Sequence, residues 1–364
     1  MKIYKFITQI SIAGCMLVGT PMLQGCMDNS LNDPLGKVSE EELGRDGFAA
    51  NAFFLTLCDY AYPIATENIY NTNESLIGDC YGRYQVMATD KFKGANFATY
   101  NAPENWLNWQ FADDNVMVLT YGAWNKIKNV TQGTGVNFAW AQILRIATMH
   151  RMLDMYGALP YSQISSDKLS TPYDTMEEAY HAMFTDLTDA INVMTVYVTE
   201  NPNNRTMAKY DKVYDGDFEK WVKFANSLKL RMAIRIRFAD REYARQMAEE
   251  AINHSIGVIT SNEDNATSLG TKNQLYTVLV QWPDQCVSAD ITSYMKGYND
   301  PRMSKYFKKK TSDKGDDDYV GMRAGLSYGN DITGPTFSRI NVGEMDRTLW
   351  MSAAETAFNK AEAA

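Results

Sequence analysis

No stretch of this 364-residue chain is apolar for long enough to cross a roughly 30 Å hydrocarbon core as a helix. Cysteine is scarce. Beyond Cys15 and Cys26 near the N-terminus, only Cys58, Cys80 and Cys286 remain, too few and too widely spaced for a disulfide framework. Free buried thiols are expected, with a Cys58–Cys80 bridge left open as an alternative. Positive charge is also short, at 35 Lys and Arg against 44 Asp and Glu. A net charge of −9 argues against a phosphate-backbone partner, so no nucleic acid is expected. The one basic triplet, Lys308-Lys309-Lys310, is answered by Asp316-Asp317-Asp318, and both read as ends of a solvated loop. Histidine occurs three times, at His150, His181 and His254, never as H-E-x-x-H. No glycine-rich phosphate loop occurs, and the Asp316 run lacks the glycine and glutamate of a calcium loop. Gly325-Leu326-Ser327-Tyr328-Gly329 has the spacing of a nucleophile elbow, but neither a buried strand before it nor a helix after it. No histidine follows that serine in the chain. No catalytic residue, metal or cofactor is therefore expected.

At the N-terminus, Lys2 and Lys5 precede a mostly apolar Phe6 to Val18, the pattern of a secretory leader. Where a small-x-small cleavage site would stand, Leu23-Gln24-Gly25-Cys26 resembles the lipobox of bacterial lipoproteins. That makes Cys26 the expected lipid anchor, several acyl chains being needed for a lasting hold. Residues 1–25 are read as the signal peptide and 26–45 as a polar tether, leaving 46–364 as the folded domain.

Within that domain the long periodic segments are helical. Trp140, Ile143, Leu144, Ile146, Ala147 and Leu153 recur at spacings of three and four, and Gly157 and Pro160 stop the run. Thr175-Met176-Glu177-Glu178 has capping-box spacing and opens a second helix. Asp217 opens a third, striped by Trp221, Phe224, Leu228 and Met232; a fourth follows Asp240. The third and fourth are joined by a short turn and carry alanines at close-packing positions, as an antiparallel tetratricopeptide-like pair does. Residues 255–348 turn irregular, rich in Gly, Asn, Asp, Thr and Tyr, with room only for short strands. The expected fold is mainly α: a tetratricopeptide-like helical-repeat scaffold with a large irregular loop insertion. Long loops on a rigid scaffold are where binding sites concentrate.

Aromatics are plentiful, with 7 Trp, 22 Tyr and 15 Phe. A flat ring packs the apolar C–H face of a sugar, while Asn, Asp, Gln or Arg at the rim pair with its hydroxyls. Trp106 and Trp109 combine with Asn105 and Asn108 in one expected loop, and Trp282 sits among Gln281, Asp284 and Gln285. These five, Trp282, Trp106, Trp109, Asn105 and Asn108, are the ligand-binding candidates, with Asn299 to Gly334 as the alternative location. Trp124 and Trp221 lie in helical stripes and are assigned to the core.

Several segments, taken in order, resemble the SusD/RagB family of outer-membrane lipoproteins from Bacteroidetes, closest to its starch-binding-associated branch. Leu153-Asp154-Met155-Tyr156-Gly157-Ala158-Leu159-Pro160-Tyr161-Ser162 is similar to that family's L-T-D-x-Y-G-D-I-P-Y-S signature, although the threonine is missing. Tyr173-Asp174-Thr175 resembles its Y-D-T element. Trp221 through Ala233 resembles its W-x-K-F-A-N-S-L-K-L-R-x-A helix, Asn299-Asp300-Pro301-Arg302-Met303 its N-D-P-R-L turn, and Ser352-Ala353-Ala354-Glu355 its S-A-A-E helix. The resemblance implies a lipid-tethered protein on the outer membrane that captures oligosaccharides, or in some members peptides. It implies delivery to a SusC-type TonB-dependent transporter, and a binding protein rather than an enzyme. It also implies further helical repeats beyond Ala364, covering the apolar face of the last helix. A lipid-anchored hydrolase and a purely structural helical-repeat paralogue are the competing readings.

Overall fold

The computed structural model describes residues 48–364, apart from 63, 90–96, 103, 105–115, 165–169, 269, 311–317 and 327–336, with side chains from residue 51 onward. The long helices begin where the sequence supplies a cap. Thr175 Oγ accepts from the Glu178 N–H at 3.2 Å, and the Glu178 carboxylate accepts from the Thr175 N–H at 2.8 Å. This reciprocal box starts Met176–Glu200. Asp217 caps Phe218–Ile236 through the Lys220 N–H, and Asp240 caps Arg241–Ile252 through the Tyr243 N–H. At its other end Gly135–Tyr156 stops at Gly157, where φ is +79°, a backbone setting a side chain would strain.

We label the scaffold helices α1 (Phe48–Ala61), α2 (Val116–Thr131), α3 (Gly135–Tyr156), α4 (Met176–Glu200), α5 (Phe218–Ile236) and α6 (Arg241–Ile252). Each of α2 to α6 packs on the next, and the tight turns between α2 and α3 and between α5 and α6 make those pairs antiparallel, as in tetratricopeptide-like repeats. Helix α3 lies at the centre and is buried on almost every side from Ala139 to Leu153. Its polar residues therefore need partners inside the protein. Gln142 accepts from Trp124 Nε1 at 2.5 Å, Arg145 donates to Asp186 at 3.2 Å, and His150 Nδ1 meets the Ile146 carbonyl at 2.9 Å. Burial, with the Arg231 charge next, pushes the His150 imidazole down to about 3, so it is a neutral packing residue.

The core is aromatic. Phe54 stacks on Trp140 at 4.2 Å between centroids, and Trp221 meets Trp140 at 5.7 Å and Trp350 at 6.2 Å. Trp124 and Trp221 are both buried, as expected, and Cys58, Cys80 and Cys286 are free and buried.

Five strands beyond α6, with one from the segment before α2, form three two-stranded antiparallel ladders rather than one sheet among the described residues. β1 (Gln85–Met87) pairs with β3 (Gln285–Val287), β2 (Ala266–Ser268) with β6 (Thr348–Met351), and β4 (Phe307–Lys308) with β5 (Arg339–Ile340). Between them lie α7 (Ala289–Gly297) and, after β6, α8 (Ala353–Ala363). Two π-helical stretches, Asn71–Asp79 and Thr277–Gln281, flank the β1–β3 ladder. Neither ladder partner is near its mate in sequence, so the insertion is clipped to the scaffold by long-range pairs. Among the described residues no helix is long and apolar enough to cross a membrane.

Helix α8 is held by α5. Arg231 donates to the Glu355 carboxylate at 2.6 and 2.8 Å, to the Tyr62 hydroxyl at 2.6 Å and to the Trp350 carbonyl at 3.1 Å. Removing the guanidinium leaves the Trp350 carbonyl and the half-exposed Glu355 carboxylate without their partner. Arg231→Met is expected to cost about 2–4 kcal/mol in urea unfolding, with Arg231→Lys recovering only part of it. An unchanged midpoint for Arg231→Met would mean the network adds nothing to stability.

Candidate functional site

The insertion builds its most conspicuous feature from tyrosines. Ser288 caps α7 by accepting from the Asp290 N–H at 3.1 Å, which sets the rotation of the helix. Tyr294 and Tyr298, four residues apart, then stand on one face with ring centroids 4.8 Å apart. They are 65% and 73% exposed, which no core role explains. After α7 the chain turns through Asn299, at φ +48°, and Asp300 grips the turn. Its carboxylate accepts from the Arg302 backbone N–H at 2.9 Å and from Nε at 2.9 Å. Those bonds hold the Asp300 carboxyl down at about 2 and park Arg302 over the Tyr306 ring, 5.8 Å from its centroid.

The opposite wall comes from the scaffold side. A tight turn returns the Tyr84 N–H to the Asp79 carbonyl at 2.9 Å, with Arg83 at φ +62°. The Tyr84 carbonyl then accepts from the Ser288 N–H at 3.0 Å, and Arg83 faces Asp290 at 3.6 Å. Tyr84 and Tyr81 leave this turn three residues apart. Tyr84 faces the groove shared with Tyr294 and Tyr306, while Tyr81 packs on Tyr100 at 5.0 Å.

The groove holds about 670 Å³, within the range of small-molecule sites. Its polar edge includes Lys305, Asn341 and Asp79, and its floor Gln85. Burial, then the charge of Glu74, pushes the Asp79 carboxyl up to about 7. Exposed ring faces bordered by hydroxyl-pairing groups can stack an apolar ring face and bond its polar edge. The described residues include no cluster of three His, Cys, Asp or Glu able to hold a metal. His181 pairs with Asp240 at 3.5 Å and His254 with Thr195 at 3.3 Å, both away from the groove.

Of the sequence candidates, Trp282 is half-buried and packs with Tyr70, Leu275 and Ile340, which also line the groove. Its N–H closes the second π stretch on the Thr277 carbonyl at 2.9 Å. Trp106, Trp109, Asn105 and Asn108 lie outside the described residues, as do Cys26 and Ser327. Sequence reasoning missed Tyr84 and Tyr294. The signal for Tyr294 was available: an aromatic pair at i, i+4 on a short capped helix whose apolar face is otherwise Ile291 and Met295. Tyr306 falls in the alternative Asn299–Gly334 region.

Apart from the Asn299–Met303 turn, which borders the groove, the recognisable sequence motifs are scaffold. In the Leu153–Ser162 signature, Asp174 accepts from the N–H groups of Tyr161 and Ser162 at 2.9 and 2.7 Å, fixing the loop after α3. Tyr161 carries the Arg145 guanidinium over its ring at 3.9 Å, and its hydroxyl donates to Asp186 at 2.8 Å. Asp154 accepts from the Tyr180 hydroxyl at 2.5 Å and from Arg235 at 2.8 Å. In the Trp221–Ala233 helix, Trp221 Nε1 donates to Asp211, Lys223 to Asp264, Asn226 to the Gly257 carbonyl and Lys229 to Glu250. Every polar residue there is used for docking other segments.

Comparison with known proteins gives the same assignment. The family model described as SusD-like, "Susd and RagB outer membrane lipoprotein", matches residues 30–364. A SusD homologue of Bacteroides uniformis is similar over 87% of this chain and 66% of its own, at 36% identity and a TM-score of 0.79. A SusD homologue of Bacteroides thetaiotaomicron is 32% identical over 86% of this chain and 63% of its own, with a TM-score of 0.76. A chitin-binding SusD homologue of Flavobacterium johnsoniae is 32% identical over 86% of this chain and 65% of its own, with a TM-score of 0.75. This chain thus spans about two thirds of the length of those structures. Among curated proteins, none matches it. With the family model matched over residues 30–364 and the fold shared at 36% identity with a solved relative, the chain belongs to the SusD-like family of outer membrane lipoproteins.

Proposed function

We propose that this protein captures oligosaccharides at the cell surface and passes them to a SusC-type TonB-dependent transporter in the outer membrane. The observation that carries the reading is the groove in which Tyr84, Tyr294 and Tyr306 expose their rings beside Lys305, Asn341 and Asp79. A sugar presents an apolar face and a hydroxyl edge, and the groove offers a partner for each. The chitin-binding relative adds support for a glycan ligand. Trp282, together with Trp106, Trp109, Asn105 and Asn108, is proposed to extend the contact surface. Capture calls for no bond-breaking machinery, so the protein acts as a binder and not as an enzyme. Titration calorimetry against a panel of oligosaccharides and peptides tests the reading. Heat from peptides alone would replace the sugar ligand by a peptide, and heat from neither would leave a structural role.

The tether is part of the same proposal, with residues 1–25 as leader, Cys26 as acylated anchor and 26–45 as linker to the domain from 46 onward. Cys26→Ser is expected to move the protein from the detergent phase to the aqueous phase in phase partitioning, because the acyl chains supply the hold. Unchanged membrane fractionation of that variant would remove Cys26 as the anchor.

A further inference from the structure

Among the described residues seven buried side-chain oxygens have no hydrogen-bond partner; two are on Ser75 and Thr120, and five are on Asn71, Gln85, Gln274, Thr277 and Gln285. These five are not scattered. Asn71 opens the first π stretch, Gln274 and Thr277 lead into the second, and Gln85 and Gln285 belong to the β1–β3 ladder between them. These elements pack on one another, so the unpaired oxygens form a layer behind the groove. Buried polar groups are normally satisfied, and one left bare lowers stability. Four of the five have no place on the groove surface. Gln85 does: it is 3% exposed, follows Tyr84 directly and lines the floor.

Gln85 stands opposite Val287 across the ladder, and Val287 spends its own N–H on the Ser338 carbonyl at 3.0 Å. The Gln285 amide, on the same face, is already spent on the Ser75 carbonyl at 3.0 Å. Among the described residues no group donates to the Gln85 side-chain oxygen. A carboxamide offers an acceptor and two donors, and a sugar's hydroxyls each both donate and accept. A ring stacked against Tyr84 or Tyr294 would bring its hydroxyl edge to the floor.

We propose that Gln85 is the specificity-determining polar contact of the groove, its carboxamide pairing with hydroxyls of the sugar unit held against Tyr84 and Tyr294. This rests on the glycan-capture reading above. Because the carboxamide oxygen is unpaired in the free protein and paired in the complex, its removal has opposite effects on folding and on binding. A residue that merely packs cannot do this. Selectivity follows too: a site built to bond a hydroxyl rejects sugars that do not place one there.

The test uses cellohexaose, maltohexaose, mannohexaose and N-acetylchitohexaose, titrated against wild type, Gln85→Met and Tyr294→Ala, with a thermal melt of each. Methionine keeps the volume without the polar atoms. Gln85→Met is expected to melt about 2–5 °C higher. It is expected to bind the best hexasaccharide about ten-fold more weakly and to narrow the spread of affinities across the four. Wild-type binding in Gln85→Met overturns the proposal, as does a lower melting temperature, which would make the carboxamide a structural partner. If Tyr294→Ala loses binding while Gln85→Met keeps it, the groove captures glycans without reading them through Gln85. If no hexasaccharide binds wild type, the capture reading fails for these glycans and the Gln85 proposal with it.

Discussion

Tyr294→Ala is expected to weaken oligosaccharide binding about thirty-fold while leaving the thermal melt nearly unchanged. A protein that must hand its cargo on binds weakly, and a millimolar dissociation constant corresponds to about −4 kcal/mol. A central aromatic contact can carry on the order of 2 kcal/mol of that. Losing it takes most of so weak an affinity, and in a titration reads as absence of binding. Stability is spared because the ring is 65% exposed and its near neighbour, Tyr298, is more exposed still. Trp282→Ala should behave differently. Its ring is half-buried among Leu275, Tyr70 and Ile340, so truncation should lower both the melting temperature and the affinity. Titration and melt must therefore be measured on the same preparations. Full wild-type binding by Tyr294→Ala, with cellohexaose or whichever glycan binds best, would move the site away from this groove.

The largest loss of stability is expected from Trp221→Ala. Trp221 is wholly buried where α5 meets α3, packed against Trp140, Phe224, Tyr214 and Trp350. Deleting a ring of that size from a close-packed core costs about 3–5 kcal/mol through lost transfer energy and the cavity left behind. A second loss adds to it. Trp221 Nε1 donates to Asp211 at 2.7 Å, and burial already pushes that carboxyl up against the bonds it accepts from Val213, Tyr214 and Gly216. For a domain of this size the drop in melting temperature should be on the order of 10 °C. Trp221→Phe keeps most of the packing and loses only the indole N–H, so it should fall between. Calorimetric melts of the two variants decide the matter, and a shift of less than 2 °C for Trp221→Ala would deny the cluster its role.

Much of this architecture is written locally. Capping residues and the 3.6-residue stripe mark the starts of α4, α5 and α6, because a side chain three residues from a helix end is within reach in any context. Free thiols, the buried Trp124 and Trp221 and the stop at Gly157 are equally local statements. The family, too, was legible from the order of its motifs. Apart from the Asn299–Met303 turn, whose Asp300 and Arg302 line the groove, those motifs proved to be docking residues, and that is why they signal the family while saying nothing of the ligand.

The binding groove is of another kind. Tyr84 and Tyr294 are 210 positions apart, and nothing in either neighbourhood marks them as facing one another. What joins them is the β1–β3 ladder, two three-residue strands too short to declare themselves by alternation. The same distance hides the unpaired layer around Gln85, since a lack of hydrogen bonds exists only once every neighbour is in place. The sequence by itself determined the helices, their caps, the aromatic core and the family, because these depend on contacts within a few residues or on burial of apolar stripes. Only the tertiary structure decided which tyrosines stay in water and which carboxamide oxygen stays unpaired, because exposure and pairing belong to the packed whole.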